Sequence, residues 1–311
     1  MKLSIITINY NNAEGLKKTL ASVASQTYPN IEHIIVDGGS TDGSVDVINA
    51  YESAIHSSNV RSFNVIWSSE PDMGIYNAMN KGIEIALGRR IVNSFNRSEQ
   101  SGAENKVLPD YIQILNSGDI LAAPDVTERM INHLLALSSS LSAENRPAIL
   151  YGNMIKKDYT MGKIIGKSRE VEYSLRQYFS STMNHDCCYF RRDLFETYGL
   201  YDENLKIVSD WKWFLQAIGL GHVKPVYVDI DVTIFDVSGI SETNLELRNK
   251  ERRQVLEELL PPAILADYDK YAFPSSQIDR LRKHHLYGLV YFIERVLCKM
   301  EKWHICMFDA K

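Results

Sequence analysis

Apolar runs alternate with amphipathic segments along the first part of this 311-residue chain. Leu3–Asn9 and Ile31–Asp37 are short and rich in β-branched residues, which predicts two buried strands. Further strands are predicted at 63–67 and 111–115, with helices at 14–26, 45–51 and 75–87. Because strands that alternate with helices are joined by right-handed crossovers, this order predicts an α/β fold with a mostly parallel sheet flanked by helices.

A second, less regular series of elements follows. We predict strands at 149–155, 163–166 and 186–190, a strand pair or bend at 226–235, and helices at 124–137 and 209–218. Residues 93–109 are polar and lack periodicity, which indicates a surface insertion. From residue 237 the chain is charged and helical, with helices expected at 244–260 and 276–303. We therefore expect a first domain at 1–236, with a break near residue 120, and a helical C-terminal extension at 237–311.

The charge balance changes this picture only slightly. Apolar residues make up 45% and charged residues 23% of the chain, as in an ordinary globular protein, and the net charge is -5. This net charge gives no electrostatic reason to expect nucleic acid, which normally binds to a basic face, so we expect no nucleic-acid partner. If such a protein binds a diphosphate, it needs a cation or oriented backbone N–H groups to do so.

The expected location is the cytoplasm. Met1 and Lys2 lead directly into the first strand, without the apolar core of a signal peptide. The four cysteines form no C-x-x-C pair and indicate neither a zinc site nor a disulfide framework. No apolar run approaches the roughly 20 residues of a membrane-spanning helix.

Polar loops punctuated by glycine follow each of the first four predicted strands. In an open parallel sheet, ligands bind beyond the carboxyl ends of the strands. The loops at 9–12, 37–43, 69–74 and 116–119 carry several carboxylates towards that edge. The loop after the first strand is neither the G-x-G-x-x-G of a dinucleotide dehydrogenase nor a G-x-x-x-x-G-K-[ST] P-loop, so both classes are excluded.

Five segments in order resemble one family. They are I-I-T-I-N-Y-N (5–11), I-V-D-G-G-S-T-D-G-S (35–44), S-E-P-D-M-G-I-Y-N-A-M-N-K-G-I (69–83), L-N-S-G-D (115–119) and H-D-C-C-Y-F-R-R-D-L-F-E-T-Y-G-L-Y-D-E with S-D-W-K-W-F-L (185–203 and 209–215). Together they resemble the family 2 glycosyltransferases of GT-A fold, and most of all the bacterial branch that builds surface polysaccharides. The likeness covers about residues 1–236.

The resemblance implies an inverting transfer of a sugar from a nucleoside diphosphate sugar, with uridine diphosphate the expected nucleotide. The acceptor would be a hydroxyl of a saccharide or lipid-linked saccharide, and the cofactor Mg²⁺ or Mn²⁺. Residues 1–120 would form a Rossmann-like donor-binding half and 121–236 an acceptor-binding half. Two other classes stay open, a non-catalytic nucleotide-sugar binding protein and a sugar nucleotidyltransferase, although 9–12 lacks the basic Gly-rich loop of the latter.

The same resemblance identifies a set of candidate donor-binding residues. Asp37 would contact the base or ribose, although an Asp at this turn could instead cap the next helix. Lys81 and Asn77 share a helix face that could contact phosphate or sugar, but Lys81 could equally be solvated, and family members often carry Asp at 77. The candidates are Thr7, Asn9, Asp37, Gly38, Ser40, Glu70, Asp72, Gly74, Tyr76, Asn77, Lys81, Ser117 and Gly118.

Two carboxylates would perform the chemistry. Asp119 would hold the divalent cation against the diphosphate, although Ser117 stands where the family often has a first Asp. Asp210 would act as the base that removes the proton of the acceptor hydroxyl; the alternative is an Asp favoured at a helix start by the dipole. His185 and Trp211 are placed on the acceptor side, where a structural role is an open alternative for each.

The segment at 276–303 is predicted to be an amphipathic helix flanked by basic residues. It could cover the catalytic domain, pair with a second copy of the chain, or lie on a membrane surface. We therefore expect a cytoplasmic protein with a possible peripheral position at the inner face of the cell membrane.

Overall fold

The computed structural model describes most of the chain in two compact units, Met1–Arg252 and Arg253–Lys311. The described residues are 1–57, 64–92, 107–138, 146–159, 161–171, 174, 175, 178, 182–237, 244–267, 269, 288, 292, 295 and 296. The predicted helix at 276–303 and most of the predicted insertion at 93–109 lie outside these residues. The domain limits expected from the sequence remain a prediction.

The first unit begins with alternating strands and helices, as predicted. Its elements up to the fourth strand are β1 (Leu3–Asn9), α1 (Ala13–Ala24), β2 (Ile31–Asp37), α2 (Ser44–Ser57), β3 (Asn64–Ser69), α3 (Ile75–Ala86) and β4 (Tyr111–Asn116). The side chain of Asn12 caps α1 by accepting a hydrogen bond from the Gly15 N–H at 3.1 Å. Gly74 precedes α3 with a φ of 121°, a backbone conformation that favours glycine.

The second series of elements contains two that the sequence did not predict, the two-residue strand β5 and the single turn α5. The elements are β5 (Ile120–Leu121), α4 (Val126–Ser138), β6 (Ile149–Asp158), β7 (Lys163–Lys167), β8 (Cys188–Arg191), α5 (Leu194–Thr197), α6 (Ser209–Phe214), β9 (Val226–Asp236) and α7 (Leu245–Leu259). A 3₁₀ turn, His185–Cys187, leads into β8, and a π-helical turn, Leu215–Leu220, continues α6. Both unpredicted elements are too short to show a hydrophobic period.

The nine strands in the described part of the chain join one sheet in the order β3-β2-β1-β4-β8-β6-β9-β5, with β7 alongside β6. β3, β2, β1 and β4 are parallel, and β6 and β9 run in the same direction because β8 pairs antiparallel with both β4 and β6. The α/β class with a mostly parallel sheet is thereby confirmed. The antiparallel β8 enters from the opposite end, so its preceding turn lies at the carboxyl edge of its neighbours.

The core lies on both faces of the central strands. Every residue of β1 is buried, and the same holds for β2. On one face Gly82 of α3 approaches β1 so closely that a Cβ at this position would collide with Ile6. Every helix in the described part of the chain is too short or too polar to cross a lipid bilayer.

The close approach at Gly82 generates a prediction. In Gly82→Ala the new methyl group overlaps the Ile6 side chain, which cannot withdraw because it is fully buried. We expect the variant to lose about 1–3 kcal/mol of unfolding free energy in urea denaturation, the usual cost of overpacking. Gly166→Ala is the control, since nothing lies within 4 Å of a Cβ there. Equal stability of the two variants would contradict the packing described.

Candidate functional site

A cavity of about 880 Å³ opens at the carboxyl edge of the sheet. The parallel register places Asn9 opposite Asp37 and Ile8 opposite Asn116, so the loops that follow β1, β2 and β4 start side by side. Most of the predicted site residues line this cavity. They are Asn9, Gly38, Asp72, Gly74, Tyr76, Ser117, Gly118, Asp119, His185 and Asp210.

Asp37 does not line the cavity; it lies directly behind Asn9, which does. Its carboxylate is fully buried and accepts hydrogen bonds from the Asn9 amide at 2.8 Å, the Ser40 hydroxyl at 2.6 Å and N–H at 2.9 Å, and the Ser69 hydroxyl at 2.7 Å. Burial raises the pKa of Asp37, but these hydrogen bonds outweigh it and lower the pKa below its ordinary value. Asp37 therefore positions Asn9 and the Gly38 turn.

Asn9 presents an unused acceptor at this end of the cavity. Its amide nitrogen is held by Asp37, while its Oδ1 is buried and has no hydrogen-bond partner among the described residues. A buried acceptor without a donor is costly, and a ligand N–H or O–H would satisfy it. Thr7, predicted for the same slot, is fully buried and bonded instead to His33 at 2.9 Å, and burial lowers the pKa of His33 to about 3.

The remaining predicted residues outside the cavity hold its walls together. Glu70 forms ion pairs with Lys81 at 2.9 Å and with Arg90 at 2.5 Å, which fixes the loop that carries Asp72 and Gly74. Asn77 donates to Glu203 at 2.8 Å and ties α3 to the segment before α6. The structure thus places Lys81 in an ion pair within the protein and away from the cavity lining.

Trp211 is also outside the cavity. It is 1% exposed, its indole N–H donates to the Tyr178 carbonyl at 2.7 Å, and Arg252 lies 5.2 Å over its ring. Trp213 is equally buried. The structure therefore makes both tryptophans core residues and brings neither to the acceptor side.

Helix α1 sets the position of the Asp119 turn. The Thr19 hydroxyl accepts from the Gly118 N–H at 2.9 Å and donates to the Asp119 carbonyl at 2.7 Å. Gly118 has a φ of 107°, a conformation that other residues rarely adopt. The Asp119 carboxylate is 4% exposed and lines the cavity, with its Oδ1 accepting from the Asp236 N–H at 3.1 Å.

The electrostatics at Asp119 favour a neighbouring cation. Burial and the negative charge of Asp186 raise the pKa of Asp119 well above its ordinary value, with a further contribution from Asp236. Asp186 is itself buried and accepts from the Thr233 hydroxyl at 2.6 Å. In the described residues, no group of three or more His, Cys, Asp and Glu side chains is arranged to hold a metal ion. The donor chemistry fits a hard cation with one or two protein carboxylates whose other ligands come from diphosphate and water.

Asp210 lies at the start of α6, and its environment differs from that of Asp119. Its carboxylate, 16% exposed, accepts from the Tyr76 hydroxyl at 3.1 Å and lies 3.1 Å from Nδ1 of His185. Nε2 of His185 lies 3.4 Å from the Asn116 amide nitrogen. Nδ1 of His185 is therefore within reach to share a proton with Asp210.

The pKa of Asp210 is lowered in the folded protein, and that of His185 is raised. Burial raises the pKa of Asp210, but the hydrogen bond and charge of His185 outweigh it and lower the pKa. Burial lowers the pKa of His185, but the hydrogen bond and charge of Asp210, with Asp186 and Asp119, raise it overall. Asp210 is thus an ionised acceptor of protons, while Asp119 is a carboxylate that needs a positive partner to ionise.

Several cavity residues were not among the predicted site. Asp236, at the carboxyl end of β9, and Phe235 before it lie at the same edge because β9 runs parallel to β1. The strand-end rule would have found Asp236 had the strand been extended by one residue. Lys206, four residues before Asp210, also lines the cavity, and no sequence pattern distinguishes it from other surface lysines.

Comparison with known proteins points to the same family as the sequence motifs. Residues 4–94 match the family model described as Glycosyl transferase family 2. An uncharacterised glycosyltransferase of Mycobacterium tuberculosis is 28% identical over 244 residues, which cover 76% of this chain and 76% of that protein. The family predicted from the sequence motifs is confirmed.

Two solved structures share the fold. TarS of S. aureus, in complex with UDP-GlcNAc, has a TM-score of 0.54 at 16% identity and covers 85% of this chain and 69% of its own. The mannosyltransferase PcManGT of Pyrobaculum calidifontis, in complex with GDP-Man and Mn²⁺, has a TM-score of 0.54 at 13% identity over 95% of this chain and 80% of its own. The likeness is to glycosyltransferases of GT-A fold, as predicted.

The paired His185 and Asp210 generate a pH prediction. Because folding raises the pKa of His185, its stabilising contribution is fully present below the ordinary value of 6.5 and is lost as pH rises through the raised pKa of the folded state. We expect Asp210→Asn to cost about 2 kcal/mol at mildly acidic pH and less at alkaline pH, measured by thermal denaturation across that range. Asp125→Asn, at an exposed site, should show no such trend. A cost that grows with pH would disprove the pairing.

Proposed function

The chain belongs to the family 2 glycosyltransferases, and from this premise we propose that it transfers a sugar from a uridine diphosphate sugar to a hydroxyl of a saccharide acceptor. The single observation that carries the proposal is that Asp119 and Asp210, with opposite electrostatic environments, line the same cavity. Asp119 can balance the charge of a cation beside a leaving diphosphate, and Asp210 can accept a proton. A protein that only bound nucleotide sugars would need no ionised base on the acceptor side.

The nucleoside would lie against the β1 and β2 ends. There the Asn9 Oδ1 lacks a donor, and an N–H of the base or a ribose hydroxyl would supply one. Asn12 and the Gly38 backbone line the adjoining wall, so the nucleoside meets small and polar groups. The complex of TarS with UDP-GlcNAc supports a uridine nucleotide.

The diphosphate would lie near Asp119, with Mg²⁺ or Mn²⁺ held between them. When bound, the cation would offset the negative charge that grows on the diphosphate as the glycosidic bond breaks. Asp119 would be the protein ligand of the cation, and Asp236 lines the cavity beside it. The Mn²⁺ in the PcManGT complex supports this assignment.

Asp210 would remove the acceptor proton. The hydroxyl oxygen forms a bond to the anomeric carbon as the bond from that carbon to the diphosphate breaks, and the proton passes to the Asp210 carboxylate. Attack from the face opposite the diphosphate inverts the anomeric configuration. Tyr76 and His185 hold Asp210 in place through hydrogen bonds to its two carboxylate oxygens.

We place this reaction in the cytoplasm, in the synthesis of a cell-surface polysaccharide on a saccharide or lipid-linked saccharide acceptor. The free thiols of Cys187 and Cys188 support a reducing compartment. Both are buried, and burial raises the pKa of Cys188, which makes them core residues without a catalytic part.

Asp210→Asn tests the base. The amide keeps the size of the carboxylate but cannot take a proton, so we expect kcat for UDP release from a panel of UDP-sugars with Mn²⁺ and acceptor to fall at least about 100-fold. The donor-induced rise in melting temperature should persist, which separates catalysis from binding. Asp125→Asn serves as the matched control. Unchanged turnover in Asp210→Asn would remove this residue from the mechanism.

Asp119→Asn tests the cation site with a readout other than turnover. In the wild type, Mn²⁺ with UDP should raise the melting temperature more than UDP alone, and the variant should lose that increment. Without ligands the variant should be about as stable as the wild type at neutral pH, because burial beside Asp186 disfavours the charged form of Asp119 and Asn carries no charge. A retained Mn²⁺ increment would contradict the assignment.

A further inference from the structure

The hairpin of β6 and β7 exposes large apolar side chains at the edge of the sheet. β7 pairs with β6 and with no other strand in the described structure. Met161 is 60% exposed, Ile164 67% and Ile165 53%. Three such side chains within five positions form an apolar patch of the kind that marks an interaction surface.

The hairpin itself is locally basic although the whole chain is acidic. Residues 156–170 contain the basic Lys156, Lys157, Lys163, Lys167 and Arg169 against the acids Asp158 and Glu170. Asp229 of β9 offsets part of the charge of Lys167 and Arg169. Lys167 is paired with Asp231 at 2.5 Å, whereas Lys163 is exposed at the start of β7.

An aromatic ring lies at the base of the hairpin between two lysines. The ammonium of Lys18, from α1, is 4.9 Å from the centre of the Tyr159 ring, and that of Lys157 is 4.6 Å from it. A tyrosine flanked by lysines next to exposed isoleucines is the combination found where a protein meets the boundary of headgroups and acyl chains.

We propose that Tyr159, Met161, Lys163, Ile164 and Ile165, here named the hairpin surface, dock the protein on an anionic lipid bilayer. The apolar side chains enter the headgroup boundary, and the lysines bind the negative surface. A second copy of the chain is a poorer occupant of this edge. Antiparallel pairing of two β7 strands would bring Lys163 of one copy opposite Lys167 of the other, and like charges directly opposite each other destabilise a strand pair.

The hairpin surface adjoins the candidate active site. At the end of β6, Lys157 pairs with Asp236 of β9, and the Val237 N–H donates to the Lys157 carbonyl at 3.3 Å. Asp236 lines the cavity. A bilayer under the hairpin therefore lies beside the cavity, and, resting on the proposed function, the acceptor would be a saccharide whose lipid carrier stays in that bilayer.

Vesicle sedimentation with the full chain tests the apolar part. Wild type is mixed with vesicles of phosphatidylcholine alone or with phosphatidylglycerol added, without donor or metal. We expect binding to the anionic vesicles, with a partition coefficient at least about tenfold lower for Ile164→Ser/Ile165→Ser. Ile91→Ser is the control, because Ile91 is 76% exposed outside the hairpin.

A second pair of variants tests the charge. Lys163→Gln should bind about fivefold more weakly, the effect of one lysine near an anionic surface, and added salt should weaken the wild type in the same way. Lys224→Gln, at an exposed lysine elsewhere, should bind as the wild type does. Melting temperatures of all variants show that they are folded.

The proposal is overturned if wild type does not sediment with anionic vesicles, or if the hairpin variants bind as well as their controls. A concentration-dependent dimer that Ile164→Ser/Ile165→Ser abolishes, without vesicle binding, would assign the surface to a second copy instead. UDP release in the absence of vesicles should be unchanged in the hairpin variants. Vesicle binding by a wild type that releases no UDP would refute the proposed function and leave the hairpin surface standing.

Discussion

The in-register parallel pairing of β1 with β2 and β4 is the constraint on which the site depends. It brings the strand ends together, so that the Asn9 side chain meets Asp37 on one side while the turn at 117–119 begins on the other. A slip of one residue would exchange the two faces of β1 and break close contacts such as that of Ile6 with Gly82. The apolar core thus determines the arrangement of polar groups at the edge.

The sequence predicted the first half of the fold well, because long β-branched runs and amphipathic helices leave few alternatives. Every strand and helix expected before residue 116 is present, with ends that differ by a few residues. The second half was harder, since β5 and α5 are two and four residues long and the π-helical turn has no signature in the pattern. Their conformations come from tertiary contacts that a sequence pattern does not contain.

The sequence predicted which residues lie near the site better than it predicted which groups their side chains contact. The strand-end rule found Asn9, Asp119 and the loop around Gly38, since a residue's place at an edge follows from topology. It could not tell that Asp37 is enclosed by Asn9, Ser40 and Ser69, because that depends on side-chain directions across separate strands. For the same reason Trp211, next to Asp210 in sequence, lies in the core while Asp210 faces the cavity.

The hydrogen bonds that α3 makes with the later part of the chain have a mechanical consequence. Tyr76 reaches Asp210, and Asn80 binds both the Tyr201 carbonyl and the Glu203 carboxylate at 2.8 Å. These bonds span more than a hundred positions of sequence and fasten the cavity wall that carries Tyr76 to the wall that carries Asp210. Opening the cavity by rotating one wall away from the other would break them together. The spacing between the two walls is therefore a rigid property of the scaffold, and any change in the shape of the cavity has to come from the loops.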